Sequence, residues 1–262
     1  MCLIAFAWLS HARFPLALIA NRDEFHARPA APAGFHASDR QVFGGRDLQA
    51  GGSWLLVSAQ GRMAAVTNVR VGRNPEAAPR SRGALVSDFV HDSCSAQDFL
   101  AALSDRAAEY GRFNLLVSDG ESLHFASNHP DYAHAPVAPG VHRLSNGPLD
   151  ADWPKARRAE RALQAWLDES VSAAPVPGLR PLFSALADTL HADDDELPDT
   201  GVGLELERML SSPFIAGQDY GTRCSTVVLV GEGEAHFVER RFGPGGGLFL
   251  GKTRQVLPWP KA

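Results

Sequence analysis

The residue best suited to covalent chemistry lies at the start of the chain. Cys2 follows Met1 directly, so removal of Met1 would place a thiol and a free α-amine on one residue. An α-amine has a reference pKa of about 7.7 to 8.0, so it accepts a proton near neutrality, and its protonated form lowers the pKa of a neighbouring thiol. That is the logic of an N-terminal nucleophile. The competing expectation is ordinary packing, because free cysteine is among the most buried residue types and suits the start of an apolar strand.

The run Asn21, Arg22, Asp23, Glu24 follows a second apolar segment and sets four polar groups beside the Cys2 strand if the two form a hairpin. An arginine there can steady a thiolate, and a carboxylate can hold an α-ammonium. An internal ion pair at a solvated strand end is the bland alternative. Asn68 and Asn146 each end a further apolar segment, and a side-chain amide can donate to the oxyanion of a tetrahedral intermediate. Asparagine before a turn is also ordinary turn chemistry, as is Arg223 at the head of the last long hairpin. Phe25 and Trp54 are candidate pocket walls. His124, His129 and His134 recur every five residues, but Pro130 and Pro136 make that stretch read as a loop, and no metal site is expected there. Gly44 with Gly45 and Gly51 with Gly52 read as turns, since no Gly-Lys-Ser/Thr follows to make a phosphate loop.

These residues have to be held by strands. Cys2 to Leu9 and Pro15 to Ala20 form one expected hairpin, and Trp54 to Ser58 with Met63 to Thr67 a second. Phe113 to Ser118 and Ser122 to Ala126 flank Asp119-Gly120, a favoured tight-turn dipeptide, and Ser225 to Val230 pairs with Ala235 to Glu239. Helical periodicity is confined to the middle and late third. Leu85, Val86, Phe89 and Val90 mark one helix, and Ser95 to Asp98 reads as a capping box opening the next. Asp152 is expected to cap a helix with Pro154 in its first turn. Gly178 to Leu190 and Leu204 to Leu210 give shorter ones, while Pro175 to Gly178 and Asp193 to Glu196 read as exposed connections. Strands apolar on both faces need cover on both faces, which in an antiparallel protein means a second sheet on one side and helices on the other. The expectation is one α+β domain over residues 1–262, a four-layer αββα sandwich of two mainly antiparallel sheets.

Composition narrows the function. The chain has 262 residues, 45 % hydrophobic and 21 % charged, as globular domains do. A net charge of −5 has the wrong sign for a nucleic-acid binder. The longest apolar runs fall well short of the ~18 residues a membrane helix needs, and no basic region precedes the first. The expected address is the cytoplasm. The odd set Cys2, Cys94 and Cys224 fits reduced thiols. The expected partner is a small molecule, and the oligomeric state is left open.

An ordered set of motifs runs through nearly the whole chain. It comprises Cys2, ANRDEF from Ala20 to Phe25, GGRD from Gly44 to Asp47, AGGSW from Ala50 to Trp54, AVTN from Ala65 to Asn68, SRG from Ser81 to Gly83, RLSNG from Arg143 to Gly147, and YGTRCSTVVLV from Tyr220 to Val230. Together these resemble the NRDE family, also called transport and Golgi organisation protein 2. That family resembles in turn the N-terminal nucleophile (Ntn) hydrolases, whose αββα sandwich agrees with the layer argument. Cysteine members such as penicillin V acylase and bile salt hydrolase use an N-terminal cysteine, an arginine and an aspartate on the next strand, two asparagines and a late arginine.

The resemblance therefore implies Cys2 as nucleophile, Asn68 and Asn146 as oxyanion and site-building amides, and Arg223 as the late arginine. Those hydrolases separate arginine from aspartate by two residues, whereas Arg22 and Asp23 are adjacent, so either Arg22 with Asp23 or Asn21 with Glu24 fills the early places. Two roles follow from the resemblance: cofactor-free hydrolysis of a linear amide or acyl bond after loss of Met1, or non-catalytic binding and trafficking of haem or an acyl-CoA-like lipid. Haem would then be a ligand, with no Cys-x-x-Cys-His attachment motif to hold it covalently.

Overall fold

Strand residues that are apolar at consecutive positions find cover on both faces here. The computed structural model describes residues 3–37, 39–73, 78–170 and 178–260. In chain order the strands are β1 (Leu3–Trp8), β2 (Leu16–Phe25), β3 (Ala30–His36), β4 (Asp39–Asp47), β5 (Leu55–Ser58) and β6 (Arg62–Asn68). Helices α1 (Arg82–His91) and α2 (Ala96–Leu103) come next, then β7 (Phe113–Ser118), β8 (Leu123–Ser127), β9 (Ala133–Pro136) and β10 (Gly140–Leu144). Three helices, α3 (Pro154–Glu169), α4 (Arg180–Leu186) and α5 (Leu204–Met209), lead to β11 (Tyr220–Val230), β12 (Glu234–Phe242) and β13 (Phe249–Pro258).

The strands make two antiparallel sheets, one in the order β10-β1-β2-β11-β12-β13 and one running β3 to β9 in sequence order. Side-chain alternation assigns the layers. Ile4, Phe6, Leu18 and Ala20 meet Leu55, Met63, Ala65 and Leu116 between the sheets. The intervening Leu3, Ala5, Ala17 and Ile19 pack on Ala159, Leu163 and Leu167 of α3 and on Leu182 and Leu186 of α4. On the opposite flank Ala64, Val66, Leu115 and Val117 pack on Leu85, Phe89 and Leu100 of α1 and α2. The result is the αββα sandwich expected from the sequence.

Four of the expected local features come out differently. Trp153, not Asp152, is the N-cap of α3 and makes no side-chain capping bond; Asp152 instead takes Arg157 at 2.9 Å. The helix expected over Gly178 to Leu190 is confined to α4. Gly44 and Gly45 lie inside β4, not in a turn; glycine is needed at position 45 because a Cβ there would come within 2.1 Å of the Trp54 indole. His124 and His134 belong to β8 and β9, which pair directly, so the proline-marked stretch is a hairpin and not a loop. The capping box does form: Ser95 Oγ accepts from the Asp98 backbone N–H at 3.1 Å and donates to its carboxylate at 2.8 Å. Pro175 to Val176 and Pro177, like Cys2, lie outside the described residues.

Candidate active site

One end of the sandwich is open, and there the last residues of β2, the turn before β5, the end of β6 and the start of α1 enclose a polar cleft of about 480 Å3. Arg22, Asp23, Glu24, Trp54 and Asn68 all line it. β2 runs through Phe25, so the Asn21 to Glu24 run lies within the strand and its residues alternate between faces. Arg22 points toward the second sheet. Its guanidinium lies 4.4 Å from the Trp54 ring centroid, and its Nη2 is 3.7 Å from Glu24 and 3.9 Å from Asp47. Nη1 is buried and has no partner among the described residues.

Asp47 is the hub on the facing side. It takes Arg28 Nε at 2.8 Å and the backbone N–H groups of Gln49 and Ala50 at 3.0 Å. Burial works against its charge, but these donors outweigh it and hold the carboxyl below its ordinary pKa. Asp23 is buried and accepts from Thr222 Oγ1 at 2.6 Å. Opposite this pair β11 carries a bulge: Thr222 pairs with Asp23 and Cys224 with Arg22, leaving Arg223 as the extra residue.

Asn21 takes a different course. Its side chain is fully buried on the helix face, where Nδ2 donates to the carbonyls of Leu186 and Pro213 at 2.8 Å and Oδ1 accepts from Ser225 Oγ at 2.6 Å. It bolts α4 to the sheet and does not line the cleft, so of the two early pairings only Arg22 with Asp23 has both residues in the lining of the cleft. Asn146 also stands behind it: its Nδ2 donates to the backbone carbonyl and the Oδ1 of Asn68 at 2.9 and 3.1 Å. With Oδ1 held, the NH2 group is the donating end of Asn68. The same seam is tied by Thr67 Oγ1 to the Ser145 carbonyl and by Asn114 to the Gly147 carbonyl, both at 2.8 Å.

Arg223 lies away from the cleft, donating to the carbonyls of Phe25 and Arg28 at 2.8 and 3.0 Å. Burial and the nearby Arg22 charge lower its pKa. It lines a small pocket of about 70 Å3 with Cys224, Glu239 and Arg241. Burial pushes both the Cys224 thiol and the Glu239 carboxyl up. Phe25 is exposed and lines an adjoining groove. Cys2, the expected nucleophile, falls outside the described residues.

Arg28, Asp47, Arg80 and Arg82 also line the cleft and carried no role in the sequence reading. Asp47 and Arg82 fall within the GGRD and SRG motifs, beside Ser81, which caps α1 by accepting from the Gly83 N–H at 3.2 Å, whereas Arg28 and Arg80 lie in neither motif. No group of three or more His, Cys, Asp or Glu side chains that could hold a metal ion occurs among the described residues, and no described helix is long and apolar enough to cross a membrane.

The layered sheets define an Ntn-hydrolase fold, and comparison with solved structures shows the same. A variant of the conjugated bile acid hydrolase from Clostridium perfringens superposes with a TM-score of 0.54 over 100 % of this chain and 98 % of that one, at 8 % identity. Penicillin V acylase from Agrobacterium tumefaciens gives 0.51 over 92 % and 83 %, at 12 % identity. Residues 1–244 match the family described as Transport and Golgi organisation 2, and the chain belongs to that family. The transport and Golgi organization protein 2 homologue of Bos taurus is 34 % identical over 92 % of both chains, and the Drosophila melanogaster protein 28 % over 91 % of both.

Proposed function

We propose that the chain is a cysteine hydrolase of the N-terminal nucleophile type that cleaves a linear amide or related acyl bond once Met1 is removed. The observation that carries this reading is where β1 begins. Leu3 pairs with Asn21, so the chain enters the sheet at the end where Arg22 and Asp23 wall the cleft, and Cys2 is the residue before Leu3.

In the reaction the Cys2 thiol gives its proton to its own α-amine, and the thiolate adds to the substrate carbonyl carbon. The charge that moves to the carbonyl oxygen is met by the NH2 of Asn68, which Asn146 orients. Collapse breaks the C–N bond, and the α-ammonium returns the proton to the leaving amine. Water then adds to the thioester, with the α-amine as base, and releases the acid. Arg22 favours the thiolate electrostatically, and Asp23 favours the ammonium. The chemistry needs only groups of the chain itself and a reduced thiol, which suits the cytoplasm.

The test is intact-mass analysis of protein expressed without an N-terminal tag, followed by exposure to amide and thioester substrates. Loss of Met1, an acyl adduct on Cys2, and no turnover in Cys2→Ala are expected. Met1 retained on folded protein, or turnover unchanged in Cys2→Ala, would overturn the reading. Ligand binding with no turnover at all would favour a haem or acyl-CoA carrier on the same fold.

A further inference from the structure

At the small pocket that Arg223 lines, one buried carboxylate joins the two sheets. Glu239 on β12 is 1 % exposed, and its Oε1 accepts from the Ala33 N–H of β3 at 2.8 Å. Ala33 falls in the register shift between Ala31 and Gly34, where β3 leaves its ladder with β4, and this turns its N–H to the other sheet. One oxygen of Glu239 thus clamps β3. The other, Oε2, is buried and has no hydrogen-bond partner among the described residues.

Two donors share that condition and that place. Arg22 Nη1 and Arg241 Nε are buried without a partner among the described residues, and Arg22, Arg241 and Glu239 all line the pocket. Arg22 and Trp54 line the cleft as well, so the guanidinium stacked on the indole forms part of the wall between the two spaces. Stacking on a ring face leaves a guanidinium able to turn within its own plane, and the pairs of Nη2 to Glu24 and Asp47, at 3.7 and 3.9 Å, are too long to stop it. On the pocket side the opposing charge is Glu239. Burial pushes its carboxyl up, and the charges of Arg241 and Arg22 work against that rise. Two N–H donors and one acceptor are what a single water satisfies, accepting through both lone pairs and donating to the oxygen. Buried waters make about three such bonds, and a pocket of about 70 Å3 has room for one.

We propose that Glu239 is a positioning residue for Arg22, acting through a water held in this pocket that accepts from Arg22 Nη1 and Arg241 Nε and donates to Glu239 Oε2. The bridge fixes the turn of the guanidinium within its plane, so that Nη2 stays directed at the cleft. Glu239 itself touches neither the cleft nor a substrate in it. The effect on turnover rests on the hydrolase reading, in which Arg22 favours the thiolate, whereas the bridge rests on the pocket alone.

The experiment has two arms. A crystal structure of the unaltered full chain is expected to show an ordered water within about 3.2 Å of all three atoms. A direct Arg22 to Glu239 ion pair, or no water common to the three, would overturn the proposal. The second arm compares Glu239→Gln in the unaltered chain and in Arg22→Met. Glutamine keeps an oxygen for the Ala33 N–H but turns the far corner into a donor, so three donors then face a water with two lone pairs. In the unaltered chain it should lower the melting temperature by several degrees and kcat several-fold, with KM nearly constant. In Arg22→Met it should add no further loss of either, because the group it acts through is gone. Losses that add across the two backgrounds would mean that Glu239 serves only to clamp β3, and would overturn the proposal. The crystal structure decides alone if the double variant does not fold. Absence of turnover in the unaltered chain would count against the hydrolase alone, since the water and the melting temperatures are read without substrate; additive losses in a chain whose turnover depends on Cys2 would count against the positioning role alone.

Discussion

The guanidinium of Arg22 on β2 and the indole of Trp54 before β5 stack across the gap between the two sheets, 4.4 Å apart. Arg22 is buried and its ion pairs to Glu24 and Asp47 are long, so the ring face is its nearest support. A desolvated cation–π contact is worth up to about 2 kcal/mol. Trp54→Leu should therefore lower stability by at least that much, since truncating a buried aromatic adds a cavity. It should also cut turnover more than tenfold by letting Arg22 swing, whereas Trp54→Phe keeps a ring and should lose less of both. Denaturant unfolding and kcat/KM on any responsive amide would show it, and equal losses in the two variants would contradict it.

Asn146 acts through Asn68. Asn146→Ala leaves the Asn68 carbonyl and Oδ1 without their donor, at about 1–3 kcal/mol for a buried acceptor. Asn146→Asp keeps the shape but sets a carboxylate against those same oxygens, so it should be the less stable of the two. Because Asn146 does not line the cleft, kcat should fall several-fold while KM stays nearly constant. A rise in KM with kcat intact would place Asn146 against the substrate instead.

The parts of this architecture legible in the sequence are those buried on both faces. β1, β2, β5 to β8, β11 and β12 show as apolar runs because each packs on a sheet and on helices or a neighbouring strand. The Asp119-Gly120 step marks one turn directly, with Gly120 at φ +95°. β3, β9 and β13 were not legible. Every residue of β9 is exposed, β13 is a mostly exposed sheet edge, and β3 pairs with β4 through two register shifts, so backbone pairing and not side-chain pattern holds them. In the cleft, Arg22, Asp23, Trp54 and Asn68 were legible because they end or flank apolar runs. Asn21 misled for a physical reason: strand alternation sends it to the helix face while Arg22 goes between the sheets. Arg28, Asp47 and Arg80 come together through strand and loop pairings that local sequence does not encode.

Gly52 lets the rim of the cleft close on α1. It adopts φ +72°, and a Cβ there would lie 2.3 Å from the backbone carbonyl of Gly83, whose oxygen accepts from the Ser53 N–H at 3.1 Å. Gly52→Ala combines the left-handed penalty of about 1–2 kcal/mol with a backbone clash. It should lower the melting temperature by several degrees and reduce activity out of proportion to the fraction unfolded. Gly51→Ala has the same φ but open space around it, and should show only the conformational part. Equal effects at both positions would exclude the clash.

Glu207 joins α5 to the segment after β6. Its carboxylate takes Arg70 at 2.6 Å and both the N–H and the hydroxyl of Thr200 at 2.8 and 2.6 Å, and it is almost fully buried. Removing one partner of a buried pair leaves the other uncompensated, at about 3–5 kcal/mol. Glu207→Ala should be destabilised on that scale, and Glu207→Gln by less because it still accepts from Thr200. A double-mutant cycle with Arg70→Met measures the coupling; additive losses would show that the two side chains act independently.

His142 on β10 should give stability a distinct pH signature. Its Nδ1 is 2.8 Å from Asp150 Oδ2 and its Nε2 is 2.9 Å from the Ala138 carbonyl. Both partners are acceptors, so the doubly protonated ring satisfies both at once. The bond to Asp150, first, and the carbonyl of Ala138 raise the His142 pKa above its ordinary 6.5, against the opposing effect of burial. The folded state thus holds this proton more tightly than the unfolded chain. The contribution is fully present below the unfolded value and is lost as pH rises through the folded one. Asp150 is shifted down despite its burial, by the bonds from His142 and the Arg143 N–H, so its share persists until pH falls below the ordinary carboxylate range. The difference in melting temperature between the unaltered protein and His142→Gln should therefore be largest near pH 5.5 and shrink steadily toward pH 8.5, since glutamine retains a donor for Asp150 but has no charge to lose. Thermal melts across that range decide the matter: a difference that is flat, or that grows with pH, would mean His142 is neutral in the folded state and donates to only one of its two partners.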